Sequence, residues 1–183
     1  DISGKNVSKD IRKDAARNMQ IIFQDSAAAL NPSMRVEKII AEPMEIQKVY
    51  KSKDEMEARI SEVLSQVGLS ELHRKKYPSE LSGGMRQRVA IARSIAINPD
   101  LIIADEPIAS LDVSIQAQII NLLKDLQEKY NLTYLFISHD LSVVEHISDT
   151  VGVMYLGSLV EYGDTADIFR NPLHPYTKAL FSA

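Results

Sequence analysis

Leu101-Ile-Ile-Ala-Asp105-Glu106-Pro107 is the stretch on which the reading of this chain turns. Four apolar residues in a row suit a buried strand, and two carboxylates emerge together at its C-terminal end. In open α/β sheets that end is where ligands bind. Downstream, Val113 to Tyr130 carries Ile115, Ile119, Leu122, Leu123 and Leu126 on one helical face, and Thr133 to Ile137 is a β-branched and aromatic strand. Upstream, Met19 to Phe23 is another short strand, stopped by Gln24-Asp25 and followed by the Asn31-Pro32 turn. Strands separated by helices predict a parallel α/β sheet. Leu141 to Ile147 reads as a helix, and Thr150 to Tyr162 as two strands around Leu156-Gly157, a hairpin added late.

The stretch from about 32 to 98 is helix-rich and predicts a lobe inserted into the sheet domain. A helix is expected from about Val36 to Ala41, with Pro43 breaking or restarting it. From Lys53 to Val67, Met56, Ile60, Val63, Leu64 and Val67 recur on one face, and Gly68 suits a C-terminal cap. The basic cluster His73-Arg-Lys-Lys76 leads to a second helix start at Ser82-Gly83-Gly84. The opening, Asp1 to Arg17, is polar and reads as a loop around Gly4 followed by a short helix.

Composition narrows the function classes. The 183 residues are 45% hydrophobic and 25% charged, which suits a globular protein with its own core. A net charge of -4 offers no cationic footprint for general nucleic-acid binding. With no cysteine there is no disulfide, thiolate metal site or cysteine nucleophile. No run of roughly 18 apolar residues spans a bilayer, and no signal-peptide pattern is read at the start. Asp1, not Met, opens the sequence, so it is read as part of a longer chain.

Four groups carry chemistry. Asp105 is placed to hold Mg²⁺ and Glu106 to polarise a water, although an acidic cap ahead of Pro107 explains the pair equally well. In Leu81-Ser82-Gly83-Gly84-Met85-Arg86-Gln87-Arg88, Ser82 is a helix N-cap and two glycines expose the first-turn N–H groups to an anion. A plain capped helix is the alternative, but glycine costs roughly 1 kcal/mol in a helix, and two together need a reason. His139, after the Thr133–Ile137 strand, is either a structural hydrogen-bonder or a partner for a phosphate and an attacking water. Gln24 closes a strand, as a turn residue or as a ligand for Mg²⁺ or water.

In this order and spacing, Gln24, Leu81-Ser-Gly-Gly84, Asp105-Glu106, Ser110-Leu-Asp112 and His139 resemble the ATP-binding subunit of ABC transporters. Leu81–Arg88 running into Val-Ala-Ile-Ala-Arg93 is the most specific part, and Ala109-Ser-Leu-Asp112 is similar to the family's D-loop. Phe23-Gln-Asp25, Leu30-Asn-Pro32, Asp112-Val-Ser-Ile-Gln-Ala-Gln118 and Asn171-Pro-Leu-His-Pro-Tyr-Thr-Lys-Ala-Leu180 look like the oligopeptide, dipeptide and nickel importer branch. As physics, His174-Pro175-Tyr176 is a rigid turn with an aromatic anchor that pins the C-terminal segment.

The resemblance implies a P-loop NTPase-type parallel sheet core, incomplete at the N-terminus, formed by residues 1–31 and 99–165. The helical signature lobe would lie at about 32–98 and an importer-type motif at 166–183. It implies ATP and Mg²⁺ as cofactors. Gln24, Glu106 and His139 would be catalytic, and Asp105 with Gln24 would hold the metal. Ser82, Gly83, Gly84, Met85, Gln87 and Asp112 would serve nucleotide binding across a dimer. Two such subunits would sandwich two ATP molecules, each site taking Gln24, Asp105, Glu106 and His139 from one subunit and Ser82 to Gly84 from the other. Transmembrane permease subunits and an extracytoplasmic substrate-binding protein would complete the importer at the cytoplasmic face of the membrane, with no nucleic acid.

One element is missing. The glycines at 4, 68, 83, 84, 152, 157 and 163 form no Gly-x-x-x-x-Gly-Lys-Ser/Thr phosphate loop, which is therefore expected upstream of Asp1. This chain by itself is expected to be inactive. Met85 stands where many family signatures carry Gln. The rival readings are a non-transport ABC ATPase of the DNA-repair or translation type, whose insertions or tandem domains are not visible here, a nickel or sugar importer of the same branch, and a remnant that acts only as an interaction module.

Overall fold

The computed structural model describes residues 8–182, so the loop expected around Gly4 lies outside the described residues. The chain divides into two compact units between Ile137 and Ser138. Of the strands expected within 1–31 and 99–165, the parallel ones belong to the first unit and the hairpin to the second, as a separate two-stranded sheet. Among the described residues no helix is long and apolar enough to cross a membrane.

In the first unit, Ser8 caps α1 (Lys9–Asn18) by accepting from the Ile11 N–H, and the chain passes directly into β1 (Met19–Ile22). β2 (Leu101–Asp105) lies between β1 and β3 (Thr133–Ile137), all parallel, as the alternation of strands and helices predicts. Ile22, Ile102 and Ala104 are fully buried on one face. Ile21, Leu135 and Ile137 alternate with the inward positions and are exposed.

The lobe begins with a single turn, α2 (Ser26–Ala29), followed by α3 (Val36–Gln47). Here the sequence expectation is corrected, because α3 runs through Pro43 rather than ending before it. Proline in a helix costs about 3 kcal/mol, but Val36, Ile39, Ile40, Ala41 and Met44 are buried along α3, and each large side chain is worth roughly 1.5–3 kcal/mol. α4 (Lys53–Gln66) starts on Ser52, whose hydroxyl accepts from Glu55 N–H. It buries Ile60, Val63 and Leu64, while Met56 is half-buried. Gly68 follows at φ 71, the left-handed step that ends a helix.

Periodicity did not predict the burial of Arg59 on α4. Its guanidinium donates to the carbonyls of Ile95 (2.8 Å) and Ala96 (3.3 Å), to Asn98 Oδ1 (2.6 Å), to Glu62 (2.7 Å) and to the Tyr130 hydroxyl (3.1 Å). Those two carbonyls end α5 (Gly83–Ile95), so a buried cation sits where the helix dipole is negative. Tyr130 closes α6 (Val113–Tyr130), whose bounds match the sequence reading. The expected basic cluster is also not a free patch: Arg74 pairs with Glu37, Glu57 and Glu71.

The second unit opens with α7 (Leu141–Ile147), capped by Asp140, which accepts from the Ser142 and Val143 N–H groups. β4 (Thr150–Tyr155) and β5 (Ser158–Asp164) form the expected antiparallel hairpin, with a register shift at Val153/Met154. Its two turn residues, Leu156 (φ 47) and Gly157 (φ 80), both have left-handed backbones, the pattern of a tight hairpin turn. α8 (Thr165–Arg170) and α9 (Pro175–Phe181) complete it. Glu161 on β5 accepts from the N–H groups of Leu173 (2.7 Å) and His174 (3.0 Å). The Tyr176 ring lies 4.4 Å from Tyr155, so the aromatic anchor read from His174-Pro175-Tyr176 is present.

Candidate active site

Register builds the site. With Ile22 opposite Ala104 and Asp105 opposite Ile137, the three strands end at one edge of the sheet. Gln24 lies two residues past β1, and its Nε2 donates to Glu106 Oε2 at 2.6 Å, joining positions 82 residues apart in sequence. Glu106 leaves β2 with φ 44, a left-handed backbone that an L side chain rarely adopts. Its N–H donates to the Ile137 carbonyl (2.9 Å) and so extends the β2–β3 ladder past the strand end. The following Pro107 and Ile108 are buried. Asp105 remains exposed at the end of β2.

Two carboxylates and a carboxamide are hard oxygen donors of the kind Mg²⁺ takes. Among the described residues no cluster of three or more His, Cys, Asp or Glu side chains could hold a metal by itself. The donor set therefore fits Mg²⁺ arriving with phosphates, which needs only one or two carboxylates from the protein.

The turn at Ser82 is the second feature. Ser82 Oγ accepts from Met85 N–H (3.3 Å), capping α5 as expected. The structure adds a packing reason for the glycines. A Cβ on Gly84 would lie 2.7 Å from Ile115 Cγ2, and one on Gly83 would meet Leu111 Cδ2 at 3.6 Å. Met85 is half-buried. Gln87, expected at the nucleotide, is buried, 1% exposed. Helical advance carries the chain from the open turn into the packed interior within four residues of Gly83.

Asp112 is engaged locally: its carboxylate caps α6, accepting from Ile115 N–H (3.1 Å) and Ser114 Oγ (3.0 Å). His139 lies two residues past the end of β3, is exposed, and belongs to the second unit. Sequence reasoning missed Ile115 as a site neighbour, since its helical spacing marks only a buried face.

Strand-end carboxylates beside a serine-capped helix that opens on two glycines have counterparts in a known class. The chain is a member of the ABC transporter family, whose sequence model matches residues 1–109. A second model, described as the C-terminal region of oligopeptide/dipeptide transporters, matches residues 160–183. The chain is 58% identical over 167 residues to the oligopeptide transport ATP-binding protein OppF of Bacillus subtilis, covering 91% of this chain and 55% of that protein. It is 53% identical over 183 residues to the oligopeptide transport ATP-binding protein AppF of the same organism, covering 100% and 55%. To the dipeptide transport ATP-binding protein DppF of Lactococcus lactis it is 49% identical over 179 residues, covering 98% and 57%. The chain thus spans about half the length of the curated relatives it matches. Among solved structures it resembles cbiO1 of Clostridium perfringens, part of the ABC transporter complex cbiONQ, with a TM-score of 0.79 and 28% identity over 89% of this chain and 63% of that one.

Proposed function

We propose that this chain is part of the ATP-hydrolysing subunit of an oligopeptide or dipeptide importer, peripheral to the cytoplasmic face of the membrane. The observation that carries the reading is the Gln24–Glu106 contact at the sheet edge, beside the exposed Asp105. It is supported by the peptide-transport names of the relatives and by the match of residues 160–183.

Glu106 is the group that orients and polarises water, Gln24 holds the Glu106 carboxylate, and Asp105 with Gln24 binds the Mg²⁺ that accompanies ATP. Bound Mg²⁺ would neutralise phosphate charge. His139 is the expected donor to the terminal phosphate. Ser82, Gly83, Gly84 and Met85 present the first turn of α5 to the nucleotide of a partner subunit, and Asp112 stands at the junction between the two sites. The lobe that follows Gln24 docks on permease subunits, and a substrate-binding protein delivers the peptide.

The test is Glu106→Gln in the full-length subunit. It keeps the size and hydrogen-bonding capacity of the side chain but loses the charge, so turnover should fall by about 10²-fold while ATP still binds. Parental turnover in this variant would overturn the assignment. The 183-residue polypeptide, lacking a phosphate-loop motif, should show no tight ATP binding by titration calorimetry.

A further inference from the structure

Asp112-Val-Ser-Ile-Gln-Ala-Gln118 has so far been accounted for only by its helix cap. Its remaining side chains are spaced so that several of them meet α5 or the loop before α6. Ile115 lies so close to Gly84 that a Cβ there would be 2.7 Å from Ile115 Cγ2, well inside contact distance. Leu111, just ahead of the cap, would meet a Cβ on Gly83 at 3.6 Å. One turn further along both helices, Arg88 Nη2 donates to Gln118 Oε1 at 3.1 Å, while Arg88 Nη1 donates to the Val67 carbonyl at 2.7 Å. Gln116 Nε2 ties α6 back to the Ile108 carbonyl at 3.1 Å, and so to the loop that leaves Glu106.

We propose that Ile115 is a positioning residue that locks the Ser82–Gly84 turn to the Ser110–Asp112 loop, so that the two move as one rigid piece. This rests on the functional reading above, in which both segments face the partner subunit. Gly84 is then glycine for two reasons: the approach of an anion to its N–H, and the approach of Ile115 to its Cα. The second reason makes a prediction the first does not. If space against Ile115 sets the requirement, shortening Ile115 restores a side chain at 84.

The reciprocal swap in the full-length subunit is the experiment. Gly84→Ala should lower ATP turnover by at least about tenfold with the ATP affinity of the monomer unchanged, since the loss lies in assembly rather than binding. Adding Ile115→Ala should return at least half of the lost activity, a coupling expected only of side chains in direct contact. Failure of the rescue, or a fully active Gly84→Ala, would overturn the lock.

Hydrogen exchange on the full-length subunit is the second readout, and it needs neither ATP nor a foldable Gly84 variant. Ile115→Ala should speed exchange of the Met85 and Arg86 amides by at least about threefold while leaving α3 and α4 unchanged. Unchanged amides at 85 and 86, or a uniform rise across the unit, would overturn the proposal. A full-length parent that hydrolyses no ATP would overturn the functional reading alone, because the exchange measurement still decides the lock.

Discussion

Ile22, Val36, Ile40, Val63, Ile102 and Leu123 are fully buried in the first unit, where aliphatic side chains from helices and strands pack on one another. In the second unit, among the described residues, the only buried hydrophobic side chains are Val153 and Ile168, each still 6% exposed. The elements there are tied by directed contacts instead. Glu161 binds two backbone N–H groups, Thr165 Oγ1 donates to the Ser148 carbonyl at 2.7 Å, and Tyr155–Tyr176 and Phe169–Phe181 pair their rings. Short chains bury a smaller share of their surface, so a unit of this size has little core to draw on. The first unit should therefore be most sensitive to buried volume and charge, and the second to turn geometry and pH.

The largest effect is expected where the first unit buries a charge. Arg59→Met keeps much of the aliphatic length but removes the guanidinium from Asn98 Oδ1 and from the Ile95 and Ala96 carbonyls, which keep only the Asn98 N–H and the Tyr50 hydroxyl, and this should cost about 2–3 kcal/mol. Chemical denaturation of the parent and the variant reads that difference. A loss within ~0.5 kcal/mol would mean that the guanidinium is carried by solvent rather than by the fold.

The next effect has the opposite sign and belongs to the second unit. Leu156 is 86% exposed with a left-handed backbone, a conformation that costs a branched side chain roughly 1 kcal/mol more than it costs asparagine. Leu156→Asn would give the hairpin its preferred turn pair with Gly157. Exchange of the Val153 and Glu161 amides should slow by about fivefold with α3 and α4 unaffected. Faster exchange would show that Leu156 makes contacts that outweigh its backbone strain.

The smallest effect is electrostatic. The Leu173 N–H, with a further contribution from His174, holds the Glu161 carboxyl below the ordinary carboxylate range. A depressed carboxylate stabilises the fold above its unfolded pKa and loses that contribution as pH falls through its folded pKa. Protection of the amides in residues 171–181, taken relative to their intrinsic exchange at each pH, should therefore fall below about pH 4. Glu161→Gln should flatten that dependence, and an unchanged pH profile in this variant would assign the acid response to another group.

Much of this was legible in the sequence because it is local. Apolar runs set the three parallel strands, helical spacing set α4 and α6, and Ser82 announced α5. Leu101–Glu106 and Gln24 pointed to the sheet edge, which register then assembled. Contacts between distant positions left no local trace. The aliphatic face that carries α3 through Pro43 acts only once the lobe has packed. Arg59 reads as a surface residue until α5 and α6 close over it. Gln87 was placed by the resemblance alone, and nothing beside it in the sequence marks it as buried. Gly84 was read for its N–H alone, since nothing near it in sequence announces Ile115.

The left-handed backbone at Glu106 has a consequence for how this position can vary. Holding a non-glycine residue there opposes folding by roughly 1–2 kcal/mol, and Pro107 behind it narrows the alternatives. Glycine or asparagine would relieve that strain and would also remove the carboxylate that meets Gln24. On the role proposed for Glu106, stability and turnover thus pull in opposite directions at a single residue. A library of the full-length subunit selected for heat resistance alone should drift toward glycine or asparagine at position 106, whereas one selected for ATP turnover should retain the acid and tolerate a less stable fold.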